Sequence, residues 1–547
     1  MVRRAISNCF FRLKDMKICC LFFLFAMSGL SGPLTVLAQK HAPPIPTNAP
    51  RQTARTELFL EQSSSEVHMQ TLPADSTVVL LIGRDLPLSN KSSFTFQQYD
   101  YALHLRQELP LEVPKEFDFT RMCAEGTTVY ALFTSHSNPG RLWVAAYSGP
   151  LGQVRTQQFE SKLSREVVEL KALDGRLFAT VLLTDQRHVT ALLLDVATGQ
   201  MQYLSSIYEP LPTQLTFVAD AASRRAEYVL SQTNGRKSRL LLKRLTDHGQ
   251  LVSSEFVQAE SERSLITAQL TPPQDTTARL LMGTYSLRDP DYAQGLFATD
   301  LRPTAGTGPK SPLRFYDFLH LKHFFDYLKP SRQARLRLRN ERRVAHSSPP
   351  LRWHYRLLLH ELRPQPDGGY LLVAEVYFPH YRYNSYGSYS APFSNLGNQY
   401  YGGGSNYYNS RIFDGYQTTH ALVCGFDRTG TLLWDNVFVA ENLRRSELEE
   451  AVRIQSLPDG RLVLAYLDEA KLRYKVINRA ESASNDQQVF IQTGTGPGET
   501  GSERASETSQ TDLLPWFGSQ FVAAGYQRVR MEHGPDRQVF FLNSVVF

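Results

Sequence analysis

Two stretches of the sequence concentrate residue types that take up ligands. Residues 329–343 hold Lys329, Arg332, Arg335, Arg337, Arg339, Arg342 and Arg343, opposed only by Glu341. Guanidinium groups at that density draw anionic surfaces, such as lipid headgroups or an acidic protein face. Arg335, Arg339 and Arg342 are the expected contacts. The competing use of the same run is a solvated helix face or an extended arm. The second stretch, 377–416, places Tyr377, Tyr381, Tyr383, Tyr386, Tyr389, Tyr400, Tyr401, Tyr407, Tyr408 and Tyr416 among Gly, Ser and Asn. Tyrosine gives a large contact area at low entropy cost while its small polar neighbours adapt, as in binding loops. Tyr400, Tyr401, Tyr407 and Tyr408, two pairs around Gly402–Gly404, are the expected contacts with a polysaccharide or an envelope protein. A low-complexity loop without a ligand is the competing reading.

Catalytic chemistry has less support. There is no HExxH, no GxSxG and no GxxxxGK[ST] in the chain. Thr493–Gly498 is glycine-rich but lacks the strand-to-helix setting that phosphate binding requires. His320 and His323 could share a helix face, yet no acidic or Cys partner stands at metal-ligand spacing, so structural or surface histidines are expected and neither metal nor cofactor. Asp174, Asp367, Asp427 and Asp459 each sit with Gly in a turn, where Asp serves the backbone. A hydrolase or lyase is therefore the alternative to a non-enzymatic binding or scaffold protein. Its mark would be two carboxylates with a His or Arg in a central funnel.

The elements that must carry these residues are strands. Residues 420–438, HALVCGFDRTGTLLWDNVF, read as two apolar runs around the turn Asp427–Gly430, a hairpin. The pattern recurs at 190–204 and 239–256. The turn glycines Gly152, Gly199 and Gly249 lie 47 and 50 residues apart, a period that suits a four-stranded propeller blade. About seven blades over 57–547 are expected, and LFLEQ (58–62) is expected to close the ring by pairing with a C-terminal strand. One helical, basic insertion is predicted within 306–350, with Phe315, Phe318, Leu319 and Phe325 at helical spacing and Pro330 as an interruption. Residues 378–415 are read as a rim loop and 493–512 as a flexible surface loop.

The turns resemble those of secreted propellers with an Asp-x-x-Thr-Gly-x-x-x-Trp signature, as in quinoprotein-type repeats. Asp195, Thr198, Gly199 and Tyr203 follow it with Tyr for Trp, and Asp427, Thr429, Gly430 and Trp434 with one residue fewer. The resemblance implies blades and does not extend to a quinone site. The layout also resembles that of exported bacterial β-propeller-like proteins.

Composition bounds the partners. The chain has 547 residues and is 42% hydrophobic and 11% aromatic, which favours a folded, strand-rich protein. Met16-Lys17, the apolar run Ile18–Leu30 and Val36-Leu37-Ala38 read as an export signal cut after Ala38, followed by a Pro-rich leader, 39–56. The run is shorter than the roughly 20 residues that span a bilayer, so no transmembrane segment is expected in the mature chain. Residues 1–38 carry five cations and one acid, so the formal charge falls from +6 to +2 on cleavage. A nearly neutral exported chain excludes nucleic acid as a partner. The expected address is the periplasm, the envelope or the exterior. Cys123 and Cys424 are expected as buried free thiols. An outer-membrane barrel, suggested by the terminal Phe547, is opposed by runs such as LLLK and ALLLD, which lack lipid-facing alternation.

Overall fold

The computed structural model describes residues 49–547 apart from 85–90, 162–163, 211–214, 221–222, 235–236, 273–278, 303–311, 350, 384–410, 482–486, 494–503 and 531–535. The expected signal peptide lies outside them, as do Tyr386, Tyr389, Tyr400, Tyr401, Tyr407 and Tyr408.

The described chain is a β-propeller of eight antiparallel sheets. Blades one to five cover 65–114, 117–160, 164–210, 215–257 and 264–317. Blades six and seven cover 356–445 and 453–490. Blade eight joins Arg504–Pro515, Gln520–Arg530 and Arg537–Val546 to the N-terminal strand Arg51–Leu58, which pairs antiparallel with Arg537–Val546. The barrel alternative falls here, because the strands form separate sheets rather than one closed wall.

Eight apolar layers hold the ring together, each between two consecutive blades. Strand Thr77–Arg84 shows how. Val79 and Leu81 pack toward blade two with Phe133 and Tyr147. Val78, Leu80 and Ile82 pack the other way, onto Val522, Tyr526 and Leu542 of blade eight. A strand covered on both faces needs no polar alternation. That is why the middle strands read as unbroken apolar runs. The eighth layer is also pinned by Trp516, whose Nε1 donates to the Thr77 carbonyl at 2.9 Å.

Three expectations shift. The count is eight instead of about seven, because Arg504–Pro515 is a strand. Its sequence, RASETSQTDLLP, is polar because it faces the axis, and composition made it resemble a loop. Ring closure occurs as expected, but through Arg51–Leu58, which shares only Leu58 with LFLEQ and lies mostly in the stretch read as leader. The helix α1 is confined to Pro330–Ala345. Pro330 does not interrupt it; it opens the first turn, where a missing N–H is harmless and φ is already set. Phe315 lies in strand Arg314–Asp317 and Phe318 in a single 3-10 turn, Phe318–His320. Their helix-like spacing comes from a folded-back segment that drives Phe318, Phe324 and Phe325 into the layer between blades five and six. Asp435 holds that segment by accepting from the backbone N–H of Lys322 at 2.9 Å and His323 at 2.7 Å.

Asp367, Asp427 and Asp459 do the expected backbone work, whereas the Asp174 carboxylate accepts from the Arg224 guanidinium at 2.6 Å. Asp427 Oδ1 accepts from the N–H groups of Thr429 and Thr431, both at 2.8 Å. Asp195 Oδ1 accepts from Ala197 and Thr198, both at 3.0 Å. Gly430 and Gly199 follow at φ +79° and +72°, a conformation that strains any side chain.

Candidate functional site

Two regions gather charged or exposed aromatic side chains, and the antiparallel blade explains both. The first strand of each blade neighbours the first strand of the next around the ring, so these strands line the axis. The fourth strand of one blade ends on the face where the next blade begins. The turn between second and third strands emerges on that same face.

The axis is crossed by ion pairs. Lys171, on the first strand of blade three, bonds Glu361 of blade six and the Phe217 carbonyl of blade four, the latter at 2.8 Å. Arg121 of blade two meets Glu447, between blades six and seven, at 2.9 Å. Arg453 of blade seven lies 3.7 Å from Glu450 and 3.6 Å from Asp512 of blade eight. His360 Nε2 sits 2.9 Å from Glu375 Oε1, and its Nδ1 lies 3.7 Å from Glu450. Glu375 is buried and fully engaged. Its Oε1 also accepts from the N–H groups of Ala451 and Val452 at 2.8 Å, and its Oε2 from Thr418 at 3.2 Å.

Proton affinities follow from these partners. Burial works to lower the His360 pKa, but the carboxylates of Glu450 and Glu375 outweigh it and the value rises. Lys171 behaves alike, burial being overcome by Glu361 and Glu169. Burial raises Glu169 and Glu449 above the usual carboxylate range. Carboxylates, a histidine and arginines thus meet on the axis, the arrangement expected of a funnel enzyme. Sequence reading missed it because the partners stand far apart in the chain and none belongs to a motif. Among the described residues no group of three or more His, Cys, Asp or Glu side chains is placed to hold a metal.

The second region is one face of blade six. Helix α1 occupies the connection from blade five to blade six. The strands Tyr370–Tyr383 and Arg411–Phe426 extend beyond the blade as a paired arm, with Tyr381 opposite Phe413 and Tyr383 opposite Arg411. The stretch read as a loop over 378–415 is therefore paired at both ends. Helix and arm both adjoin the layer between blades five and six. Leu336 of α1 packs against the cluster holding Tyr327 and Tyr355, and the Tyr355 ring lies 6.5 Å from Phe378.

Of the seven basic residues at 329–343, two are held by the fold. Arg337 donates to the carbonyls of Leu319, Leu321 and Lys322 at 3.1–3.3 Å. Arg343 donates to that of Pro349 at 2.7 Å. Arg335, Arg339 and Arg342 are exposed, as is Arg332. Spaced at i, i+3, i+7 and i+10 from Arg332, they share one side of the helix. Among the described residues no carboxylate pairs with these four. Of the tyrosines of 377–416, Tyr377, Tyr381, Tyr383 and Tyr416 fall in described strands; the expected contacts Tyr400, Tyr401, Tyr407 and Tyr408 lie outside the described residues.

The two histidines singled out by spacing have separate fates. His323 is buried, with Nδ1 2.7 Å from Asp326 and Nε2 3.1 Å from the Ala480 carbonyl. His320 is exposed. Cys424 is buried and Cys123 half-buried, both free.

No protein-family model matches the chain, and no curated protein matches it. Solved structures share its fold only distantly. A polysaccharide lyase, Uly1, aligns at 7% identity and TM-score 0.37 over 78% of this chain and 89% of its own. A Synechocystis apocarotenoid oxygenase variant aligns at 9% identity and TM-score 0.29, over 44% of this chain and 60% of its own. Neither likeness bears on function.

Proposed function

We propose that the protein is an exported, non-enzymatic binding or scaffold propeller of the bacterial envelope, which engages an anionic partner through the face of blade six. The observation that carries this reading is the row Arg332, Arg335, Arg339 and Arg342, exposed along α1 and unpaired by carboxylates among the described residues. A helix that only needed to be solvated would gain stability from opposing carboxylates at i+3 or i+4. The test is retention on an anionic matrix across a salt series. Exposed charge contacts are screened within about 8–10 Å at physiological ionic strength, so retention should fall steeply with added salt. It should vanish in the triple variant Arg335→Glu, Arg339→Glu, Arg342→Glu. Unchanged retention in that variant would leave α1 a solvated face.

One observation favours a second reading, a hydrolase or lyase working on the axis: His360, Glu450 and Arg453 converge there. Glu375 is excluded as its base because its acceptor capacity is already used. Glu450, half-exposed, is the carboxylate left to act. Polysaccharide cleavage that Glu450→Gln abolishes would establish this reading in place of the first.

A further inference from the structure

We infer that the anionic partner is a lipid bilayer, contacted jointly by the arginine row of α1 and by the apolar arm of blade six; this rests on the anionic-partner reading above. Charge alone does not separate a phospholipid surface from an acidic glycan or an acidic protein. The exposed apolar side chains do. On α1, Leu338 stands between Arg335 and Arg342 and is 46% exposed. On the arm, Tyr381 and Phe413 form an edge-to-face pair at 5.8 Å, 45% and 47% exposed, and Ile412, on the arm's other face opposite Arg382, is 36% exposed.

A glycan can stack on the rings, but it offers nothing to Leu338 or Ile412, because aliphatic side chains gain only by leaving water for an apolar phase. A bilayer boundary supplies that phase next to phosphates. Basic residues at the headgroups with aromatic and aliphatic groups slightly deeper are the composition of an interfacial anchor. The strength of such binding scales with the apolar area buried plus the electrostatic attraction to anionic lipids. The chain presents the charge on α1 and the apolar area on the arm. The fold brings both to the same face of one blade, since the connection from Arg314–Asp317 to Arg356–Leu359 and the turn between the second and third strands both emerge there. The arm is also suited to carry an insertion. It is a paired ladder, so its backbone groups are already satisfied when it meets the lipid.

The experiment is co-sedimentation of the protein purified after export, with vesicles of phosphatidylcholine alone and of phosphatidylcholine with phosphatidylglycerol. Retention on immobilised polygalacturonate runs beside it as the glycan probe. The proposal expects binding to the phosphatidylglycerol vesicles, little to phosphatidylcholine, and loss with added salt. Each basic residue near an anionic surface contributes about 1 kcal/mol. The triple reversal at Arg335, Arg339 and Arg342 should therefore weaken vesicle binding by on the order of a hundredfold or more. The double variant Tyr381→Ser, Phe413→Ser, altering exposed side chains, should weaken it by about tenfold while leaving the thermal transition in place. Retention on polygalacturonate without vesicle binding would overturn the bilayer and keep the anionic partner. No binding to either would overturn both. Vesicle binding that survives the triple reversal would overturn the assignment to α1. Binding that the arm variant leaves untouched would overturn the joint contact.

Discussion

His420 and His360 stand in the same blade, and their surroundings shift their proton affinities in opposite directions. His420 is completely buried, stacked on Tyr327 at 4.3 Å, with only Thr419 Oγ1 near its Nδ1 at 3.0 Å. Loss of solvent pushes its pKa down to about 3. The unfolded chain takes that proton near pH 6.5. Stability is therefore lost as pH falls from about 6.5 toward 3, by roughly 1.4 kcal/mol per unit. His420→Phe should remove much of this, so the difference in urea midpoint between pH 7 and pH 4 should shrink. His360 has the reverse sign. Its folded pKa is raised, so its contribution is complete below about 6.5 and is lost as pH rises through the folded value. His360→Gln should accordingly destabilise more at pH 6 than at pH 9. Glu375 is the third residue to test. Glu375→Ala would orphan His360 and the N–H groups of Ala451 and Val452 together, which costs about 3–5 kcal/mol for a buried partner so removed. A variant with an unchanged melting curve would refute the burial and bonding described for it.

At the scale of elements, the arm of blade six can be separated from the tyrosine-rich segment it carries. Tyr383 and Arg411 are partners in the ladder, so a two-residue Asn-Gly turn can join them in place of 384–410. The blade's own pairs, Tyr370 to Phe426 through Val376 to His420, are untouched. The melting temperature of this variant should stay within a few degrees of the parent; a large fall would mean that the tyrosines of 384–410 support the core. What sequence reading recovered among the elements was set by which way a strand faces. Middle strands such as Thr77–Arg84 and Leu462–Asp468 are apolar on both faces, so they were legible. First strands face the axis and carry Lys171, Arg453 or the polar run RASETSQTDLLP. Their hydrophobic signal is weak, and one of them was read as a loop. The basic helix was legible in composition, but its start was not, because Pro330 can open a helix or break one. The charged axis was invisible for a different reason: Lys171 and Glu361 meet only because eight sheets close.

Closure is the property of the whole molecule, and it depends on a strand drawn from the other end of the chain. Arg51–Leu58 covers the outer edge of Arg537–Val546, an edge that would otherwise offer unpaired N–H and C=O groups to other chains. Its grip is partly polar. Arg55 lies 2.7 Å from Glu57 and donates to Asn543 Oδ1 at 2.8 Å and to Gln527 Oε1 at 2.9 Å. Glu57 in turn meets Arg537 at 2.9 Å. The strand is only partly buried, so it is the least protected boundary of the ring, and opening should begin there. Ala54 and Ser544 are ladder partners with small side chains, which makes Ala54→Cys with Ser544→Cys the natural staple. Directly paired strand positions fall within the Cα separation that a disulfide needs. If unfolding starts with release of Arg51–Leu58, the oxidised double variant should unfold more slowly and at higher temperature than its reduced form, by about 2–4 kcal/mol. Reduction should restore the parent behaviour. Identical transitions for the oxidised and reduced proteins would place the first opening elsewhere in the ring, at one of the seven layers whose blades follow one another directly in the chain.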